Sequence, residues 1–289
     1  GSFGVLALGK FGGGELAEAS DLDLMMVYEA PPGAAGAGDF YARFTQRLIT
    51  ALSAPTEEGA LYEVDTKLRP SGSKGPVAVR LSSFERYYAE EAWTWELLAL
   101  TRLRPAAGDA DFGARIMEIA RAAITRPRNR EKTLNEVAGM RGLMERERPA
   151  RSLWSLKLAH GGFVDIEFIA QALQLVSANR EVLASNTGEA VDRLVRAGVL
   201  ERGVGARLRA AFTLLSDLNQ LLRISVGSGG ADPEDWPAPL KARLAGLDGV
   251  ESFEALEEHL RTVQAGVRDA FVQLIGAPGD GLAAPARSD

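Results

Sequence analysis

The chain has 289 residues, 46% of them apolar and 25% charged, and its 33 Lys+Arg against 39 Asp+Glu leave a formal net charge of −6. This balance is typical of a folded globular protein and excludes a strongly basic nucleic-acid coat, although it leaves room for a local basic groove. The absence of cysteine and the presence of only two histidines exclude disulfide scaffolds, thiol nucleophiles and cysteine metal sites, and nearly exclude a multi-histidine metal site. The chemistry left to the chain uses carboxylates, Arg, Lys, hydroxyls and a bound metal.

The ends of the sequence and its apolar runs give three further expectations. No apolar run approaches the ~20 residues that span a bilayer, so we expect a cytoplasmic protein without a membrane partner. The sequence begins on an apolar run rather than on Met, which indicates a fragment of a longer polypeptide. Residues 276–289 are rich in Gly, Ala and Pro and are expected to form a disordered tail.

Short apolar runs alternate with helical patterns in the first hundred residues. The runs predict β-strands at residues 3–8, 22–28 and 60–68. Apolar residues at helical spacing predict one helix with Asp39 as its N-cap and a second that begins at Ser82.

After residue 108 the strand signals fade and helical periodicity continues. Helices are predicted at residues 111–124, 132–148, 162–177, 187–197, 207–226 and 253–275. The sequence therefore predicts an α/β domain over residues 1–108 and an all-helical domain over residues 109–275.

A glycine turn containing Gly12 and Gly13 precedes Asp21 and Asp23, which lead into the second predicted strand. Side chains alternate along a strand, so the two carboxylates point the same way, ~7 Å apart along the backbone. Two such carboxylates can hold a hard cation such as Mg²⁺, and glycine N–H groups can approach phosphate oxygens closely. Each feature alone is weak, but their combination predicts a site for a metal-bound nucleotide.

A third carboxylate, Asp65, lies on the third predicted strand and can face the two aspartates if the strands are neighbours. Glu63 shares its face and is the competing candidate. Lys67 and Arg69 continue that face and can hold phosphate oxygens, Arg69 in bidentate fashion, and their alternative role is to pair with the aspartates alone.

Several motifs, in the same order, resemble those of the glutamine synthetase adenylyltransferases over about residues 3–275. They are residues 9–14, Ser20-Asp21-Leu22-Asp23, the strand with Asp65, residues 68–72, residues 91–96, Arg102-x-Arg104, Gly108-Asp109, Lys157 and residues 161–169. The resemblance implies an α+β nucleotidyltransferase domain of the DNA polymerase β superfold, N-terminally truncated by the loss of its leading helix. An all-α helical bundle is then expected to follow it.

The family enzyme carries two such units, and both act on glutamine synthetase. One transfers AMP from ATP to a tyrosine hydroxyl of that enzyme with release of pyrophosphate, and the other removes the AMP by phosphorolysis, giving ADP. Residues 62–65, 69–72 and 92–96 are more similar to the carboxy-terminal, adenylylating unit. The alternatives are the deadenylylating unit and a non-catalytic module that docks glutamine synthetase or a signalling protein.

The resemblance implies a role for each candidate residue. Asp21, Asp23 and Asp65 are expected to be the catalytic residues and the Mg²⁺ ligands, with ATP as substrate. The expected nucleotide and phosphate contacts are Gly12, Gly13, Ser20, Lys67 and Arg69. Lys67 stands where the family has Arg, which keeps the charge but loses the bidentate fork. The implied partners are glutamine synthetase as protein substrate and a nitrogen-signalling regulatory protein, with no nucleic acid.

Two acids of the second half have a more ordinary interpretation. Asp165 and Glu167 lie two positions apart on a predicted helix and are turned by about 200°, so they cannot bind one metal together. Both acids are expected to pair with Arg or Lys across the domain junction, for example with Lys157 or Arg104, and neither is expected to be catalytic.

The aromatic residues Trp93 and Trp95 occur at helical spacing, which favours a place in the core over stacking on an adenine. The carboxylate of Glu96 beside them must be paired or functional.

Overall fold

The computed structural model describes residues 1–18, 20–55, 57, 59, 62–227 and 233–279. Residue contacts divide the chain into a first unit, Gly1–Arg126 with Ala178–Asn186, and a second unit, Pro127–Ser177 with the described residues from Thr187 onward. The predicted domain limit after residue 108 stays a prediction, because contacts group residues without defining what folds independently. Residues 280–289 of the predicted tail lie outside the described residues.

A small mixed sheet forms the centre of the first unit. Its strands are β1 (Ser2–Ala7), β2 (Leu22–Glu29), β3 (Val64–Asp65), β4 (Ala78–Arg80) and β5 (Arg104–Gly108). Strand β1 is antiparallel to β2 and β5, while β3 and β4 run parallel to β2, beside its start and its end respectively. The apolar run of β2 from Leu24 to Tyr28 is buried, as expected for a central strand with both faces covered.

The structure confirms the first two predicted strands and shortens the third. Of the strand predicted over residues 60–68, only β3 forms, and residues 60 and 61 lie outside the described part of the chain. The Asp65 carboxylate accepts a hydrogen bond from the Lys67 N–H at 2.7 Å, so an Asx-type turn ends the strand. Strands β4 and β5 were not predicted, and Pro105 in β5 is tolerated because, among the described strands, β5 lies at an edge of the sheet and pairs with β1.

Five α-helices accompany the sheet in the described part of the first unit. They are α1 (Gly9–Gly13), α2 (Ala37–Leu52), α3 (Leu81–Arg86), α4 (Thr94–Leu100) and α5 (Ala110–Ile124). Asp39 lies in the first turn of α2, whose N-cap is Gly36 with φ +76°, so the predicted Asp39 cap is wrong. The helix predicted from Ser82 is divided into α3, a π-helical turn and α4.

The described regular elements of the second unit are all helical. The α-helices are α6 (Arg130–Glu147), α7 (Phe163–Ser177), α8 (Thr187–Arg196), α9 (Arg202–Val226), α10 (Ala238–Asp248) and α11 (Phe253–Leu274). Helix α10 was not predicted because its apolar and polar residues are spread around the helix without a clear apolar face. Among the described residues, no helix combines the length and apolarity needed to cross a membrane.

Candidate functional site

The pairing of β2 with β3 brings two of the three candidate aspartates together. Asp23 and Asp65 are direct register partners on these parallel strands, so their side chains emerge on the same face of the sheet. Asp21 is exposed and lies one residue before β2. The competing candidate, Glu63, lies one residue before β3, and its carbonyl accepts a hydrogen bond from the Leu22 N–H at 2.8 Å. The register therefore favours Asp65 as the neighbour of Asp23.

Lys67 supplies the positive charge of this region. Its ammonium donates to Asp65 Oδ2 at 2.8 Å. Burial raises the pKa of Asp65, but the hydrogen bonds and charge of Lys67 outweigh it and leave the pKa below its usual value. The pKa of Lys67 is raised, first by the hydrogen bond to Asp65 and also by the charges of Asp65, Asp21 and Asp23. One ammonium thus lies in the electrostatic field of all three aspartates.

The donor chemistry of the three aspartates suits Mg²⁺, since this ion prefers carboxylate oxygens. Among the described residues, however, no group of three or more His, Cys, Asp or Glu side chains is arranged to hold a metal ion. In the arrangement described, the Lys67 ammonium is the cation bound to Asp65. A metal on Asp65 would take over that role, so the magnesium site stays a proposal.

The glycine turn is buried and closely packed. Gly9, at φ +52°, lies so near Asp23 that any side chain at position 9 would collide with the Asp23 carboxylate. A side chain at Gly12 would collide with the Arg102 carbonyl, and one at Gly13 with the Arg102 guanidinium. Close packing therefore accounts for these glycines, and their predicted contacts with phosphate remain a prediction.

Three long-range donors, whose contacts with the turn were not predicted from the sequence, hold helix α1. Arg102 donates to the Gly9 carbonyl at 2.8 Å, and its guanidinium forms a buried ion pair with Glu15. Arg104 donates to the carbonyls of Phe11 and Gly12, and Asn186 donates to that of Gly13 at 3.0 Å. These partners lie 87 or more residues from the turn, so no local pattern reveals them.

Ser20 is buried just before the first aspartate. Its hydroxyl accepts a hydrogen bond from the Ala17 N–H at 3.0 Å, and its own N–H donates to the Ala17 carbonyl at 3.1 Å. These bonds fix Ser20, which directly precedes Asp21. The hydroxyl proton is not used by either bond, so the predicted phosphate contact remains chemically possible.

Arg69 is also buried, and its guanidinium donates hydrogen bonds to the backbone of its own loop. It donates to the carbonyls of Thr66 at 2.7 Å, Pro76 at 3.1 Å and Gly75 at 3.1 Å. Burial lowers its pKa, while the charge of Asp65 opposes that change. Arg69 thus organises the loop of residues 66–76, hereafter the Arg69 loop, and its bidentate phosphate contact stays a prediction.

The buried carboxylate of Glu96, in helix α4, is connected to the Arg69 loop through Tyr87. It accepts hydrogen bonds from the Tyr87 hydroxyl at 2.7 Å and the Trp93 N–H at 2.9 Å. Burial raises the pKa of Glu96, and these two hydrogen bonds oppose the rise. Burial and the bond to Glu96 raise the pKa of Tyr87 to about 12, while a hydrogen bond from the Ser71 N–H lowers it. Glu96 is therefore a paired carboxylate, as one of its two interpretations required.

Two predictions about other residues are wrong. Asp165 does not pair with Lys157 or Arg104, because its fully buried carboxylate binds Arg141, Arg268 and the Gly161 N–H within the second unit. The core position of the two tryptophans is also contradicted, since Trp93 is 52% exposed and Trp95 is 38% exposed.

Comparisons with known proteins identify relatives of the chain. Residues 1–119 match the family model of glutamate-ammonia ligase adenylyltransferase, and residues 138–275 match that of the GlnD PII-uridylyltransferase. The chain is similar to the glutamine synthetase adenylyltransferases. The resemblance seen in the sequence motifs is thereby confirmed.

Individual relatives extend this similarity over nearly the whole chain. The bifunctional glutamine synthetase adenylyltransferase/adenylyl-removing enzyme of Caulobacter vibrioides is 50% identical over 95% of the chain. Enzymes of the same description from Rhodopseudomonas palustris strain HaA2 and Bradyrhizobium diazoefficiens are 43% and 41% identical over 96% and 94% of it. The chain spans only 28–29% of the length of these relatives.

Proposed function

We propose that the chain is a nucleotidyltransferase unit that transfers AMP from ATP to a tyrosine hydroxyl of glutamine synthetase and releases pyrophosphate. The observation that carries the proposal is the register pairing of Asp23 with Asp65, with Asp21 directly before the same strand. A polymerase β-like first unit and an all-α bundle in the second unit are part of the proposal. So are a cytoplasmic location and a nitrogen-signalling regulatory protein as a further partner.

The proposed chemistry is an in-line displacement at the α-phosphorus of ATP. The tyrosine oxygen forms a bond to this phosphorus, the bond to the bridging oxygen of the β-phosphate breaks, and pyrophosphate leaves. Asp21, Asp23 and Asp65 would hold Mg²⁺, which neutralises phosphate charge. Asp65, whose lowered pKa keeps it ionised at neutral pH, accepts the tyrosine proton as the new bond forms. Tyrosine has an ordinary pKa of about 10, so this assistance is needed near pH 7.

The chain's own cations complete the proposed phosphate site. Lys67 remains protonated because its pKa is raised, and it can turn its ammonium from Asp65 to the phosphates, since its side chain is 75% exposed. The further proposed contacts are the buried turn at Gly12 and Gly13, the Ser20 hydroxyl and Arg69. These groups stabilise the negative charge that builds up on the phosphates in the transition state.

The reverse modification is the second candidate function, since the relatives are described as both adenylyltransferase and adenylyl-removing enzymes. In that case phosphate would attack the adenylyl-tyrosine bond and release ADP. ATP labelled at the α-phosphate with unmodified glutamine synthetase, and adenylylated glutamine synthetase with phosphate, separate the two. We expect label transfer in the first reaction and no ADP in the second.

A chain in which Asp21→Asn and Asp23→Asn are combined tests for a non-catalytic docking module. The proposal expects this variant to lose AMP transfer. Unchanged transfer would contradict the assignment of the aspartates, and a parent chain that binds glutamine synthetase but turns over neither substrate would favour docking.

A further inference from the structure

The two tryptophans of the first unit differ from those of the second. Trp154 and Trp236 pack against each other and against Phe253, with ring centroids 5.0–6.0 Å apart. Trp93 and Trp95, two positions apart, instead expose 52% and 38% of their surface. Large indole rings usually bury most of their surface, so a close pair of exposed ones indicates a surface that a ligand covers.

The backbone of Trp93 is fixed although its side chain is exposed. Trp93 is the N-cap residue of α4, and its N–H donates to the buried carboxylate of Glu96 at 2.9 Å. The same carboxylate accepts the Tyr87 hydroxyl at 2.7 Å. A fixed backbone leaves only the side-chain torsions of the indole to be ordered when a ligand stacks on it, which favours binding.

The same hydrogen bonds connect Trp93 to the candidate active site. The Tyr87 oxygen accepts the Ser71 N–H, and Ser71 belongs to the Arg69 loop, which begins directly after Asp65. Ser71 itself adopts a left-handed backbone conformation at φ +62°, so this hydrogen bond holds the loop at a residue with a strained backbone. One end of this connected segment therefore carries the proposed phosphate-binding groups and the other carries exposed aromatic rings.

We propose that Trp93, with Trp95 as a smaller contributor, is the stacking surface for the adenine of the nucleotide. The inference rests on the proposed nucleotidyltransferase function. Indole faces stack on nucleobases without requiring hydrogen bonds, whereas Lys67 and the aspartates deal with the phosphates. Both AMP transfer from ATP and AMP removal as ADP involve an adenosine nucleotide, so the inference holds for either direction of the reaction.

Calorimetric titration of the 289-residue chain with ATP and with inorganic tripolyphosphate, both in the presence of Mg²⁺, tests this inference. We expect Trp93→Ala to weaken ATP binding about 5- to 150-fold, the range for loss of one base–aromatic stack, and to leave tripolyphosphate binding unchanged. Trp93→Phe keeps a flat aromatic face and should retain most of the ATP affinity. Phe40→Ala, at an aromatic residue of α2 that is 56% exposed, is the matched control and should behave as the parent.

Four results would overturn the inference. Unchanged ATP affinity in Trp93→Ala would show that the indole does not contact the base. Equal weakening of ATP and tripolyphosphate would show that Trp93 only supports the loop. A raised KM for glutamine synthetase with unchanged ATP affinity would assign the ring to the protein substrate. If the parent chain binds neither ATP nor tripolyphosphate, the proposed function fails as well, which distinguishes this result from the other three.

Discussion

Two ion pairs, one in each unit, use the same kinds of charged residue in opposite ways. In the second unit, Arg141 and Asp165 are fully buried and form an ion pair, whereas in the first unit Lys67 and Asp65 are paired with 75% and 27% of their side chains exposed. A buried ion must be neutralised by fixed partners, while an exposed pair contributes little and separates easily. The buried charges are therefore committed to the fold, and the exposed ones remain available to a ligand.

The buried ion cluster, Arg141, Glu145, Asp165 and Arg268, shows what this commitment involves. Asp165 Oδ2 accepts the Gly161 N–H at 2.7 Å and Arg268 at 3.2 Å, while Arg141 also donates to the carbonyls of Leu158 and Ala159. Two cations balance two anions, and the members come from helices α6, α7 and α11. The cluster joins three helices, and it offers no free acid for chemistry.

The largest expected effect comes from breaking this cluster. Arg141→Ala leaves Asp165 buried with incomplete neutralisation, and we expect the free energy of unfolding to fall by about 3–5 kcal/mol. Urea denaturation followed by circular dichroism measures it. Arg207→Ala, at an exposed arginine of α9, is the control and should change stability by less than about 0.5 kcal/mol. Equal effects of the two substitutions would mean that the buried cluster has no special structural role.

Two neighbouring acids of the first unit, Asp65 and Glu63, should differ in their effect on activity. Asp65→Asn should lower AMP transfer on the order of 10²–10³-fold, a typical loss when one group that stabilises transition-state charge is removed. Glu63→Gln changes the adjacent acid, which lies before β3 and outside the register pair with Asp23, and should retain activity. Thermal unfolding should be similar for both variants, since both sites are near the surface. The opposite order of activities would make Glu63 the third carboxylate.

The same regions show which features of the fold and the site can be predicted from the sequence alone. The runs that form β1 and β2, and the aspartates beside them, were found because strand alternation and burial are local properties of the sequence. The partners of Asp165 and the engagement of Arg69 with its own loop were not found, because both depend on which backbone groups the fold brings near a guanidinium. The exposure of Trp93 was missed for a similar reason, since helical spacing does not reveal that the chain leaves the helix at residue 92.

The smallest expected effect tests whether Lys67 is as dispensable to the fold as its exposure suggests. Lys67 is the main group that lowers the pKa of Asp65, so Lys67→Met should move that pKa upward, toward or above its ordinary value. The sign follows from the pair: a lowered Asp65 pKa contributes stability above the unfolded pKa, and this contribution is lost as the pH falls through the folded pKa. The free energy of unfolding of the variant should therefore fall less on acidification than that of the parent chain, while its value at pH 7 should be little altered.

Carbon-13 NMR titration of the Asp65 carboxyl measures the pKa directly, and an unshifted value would show that another cation controls it. A large loss of stability at pH 7 would place the Asp65–Lys67 pair with the buried cluster and remove the contrast between them.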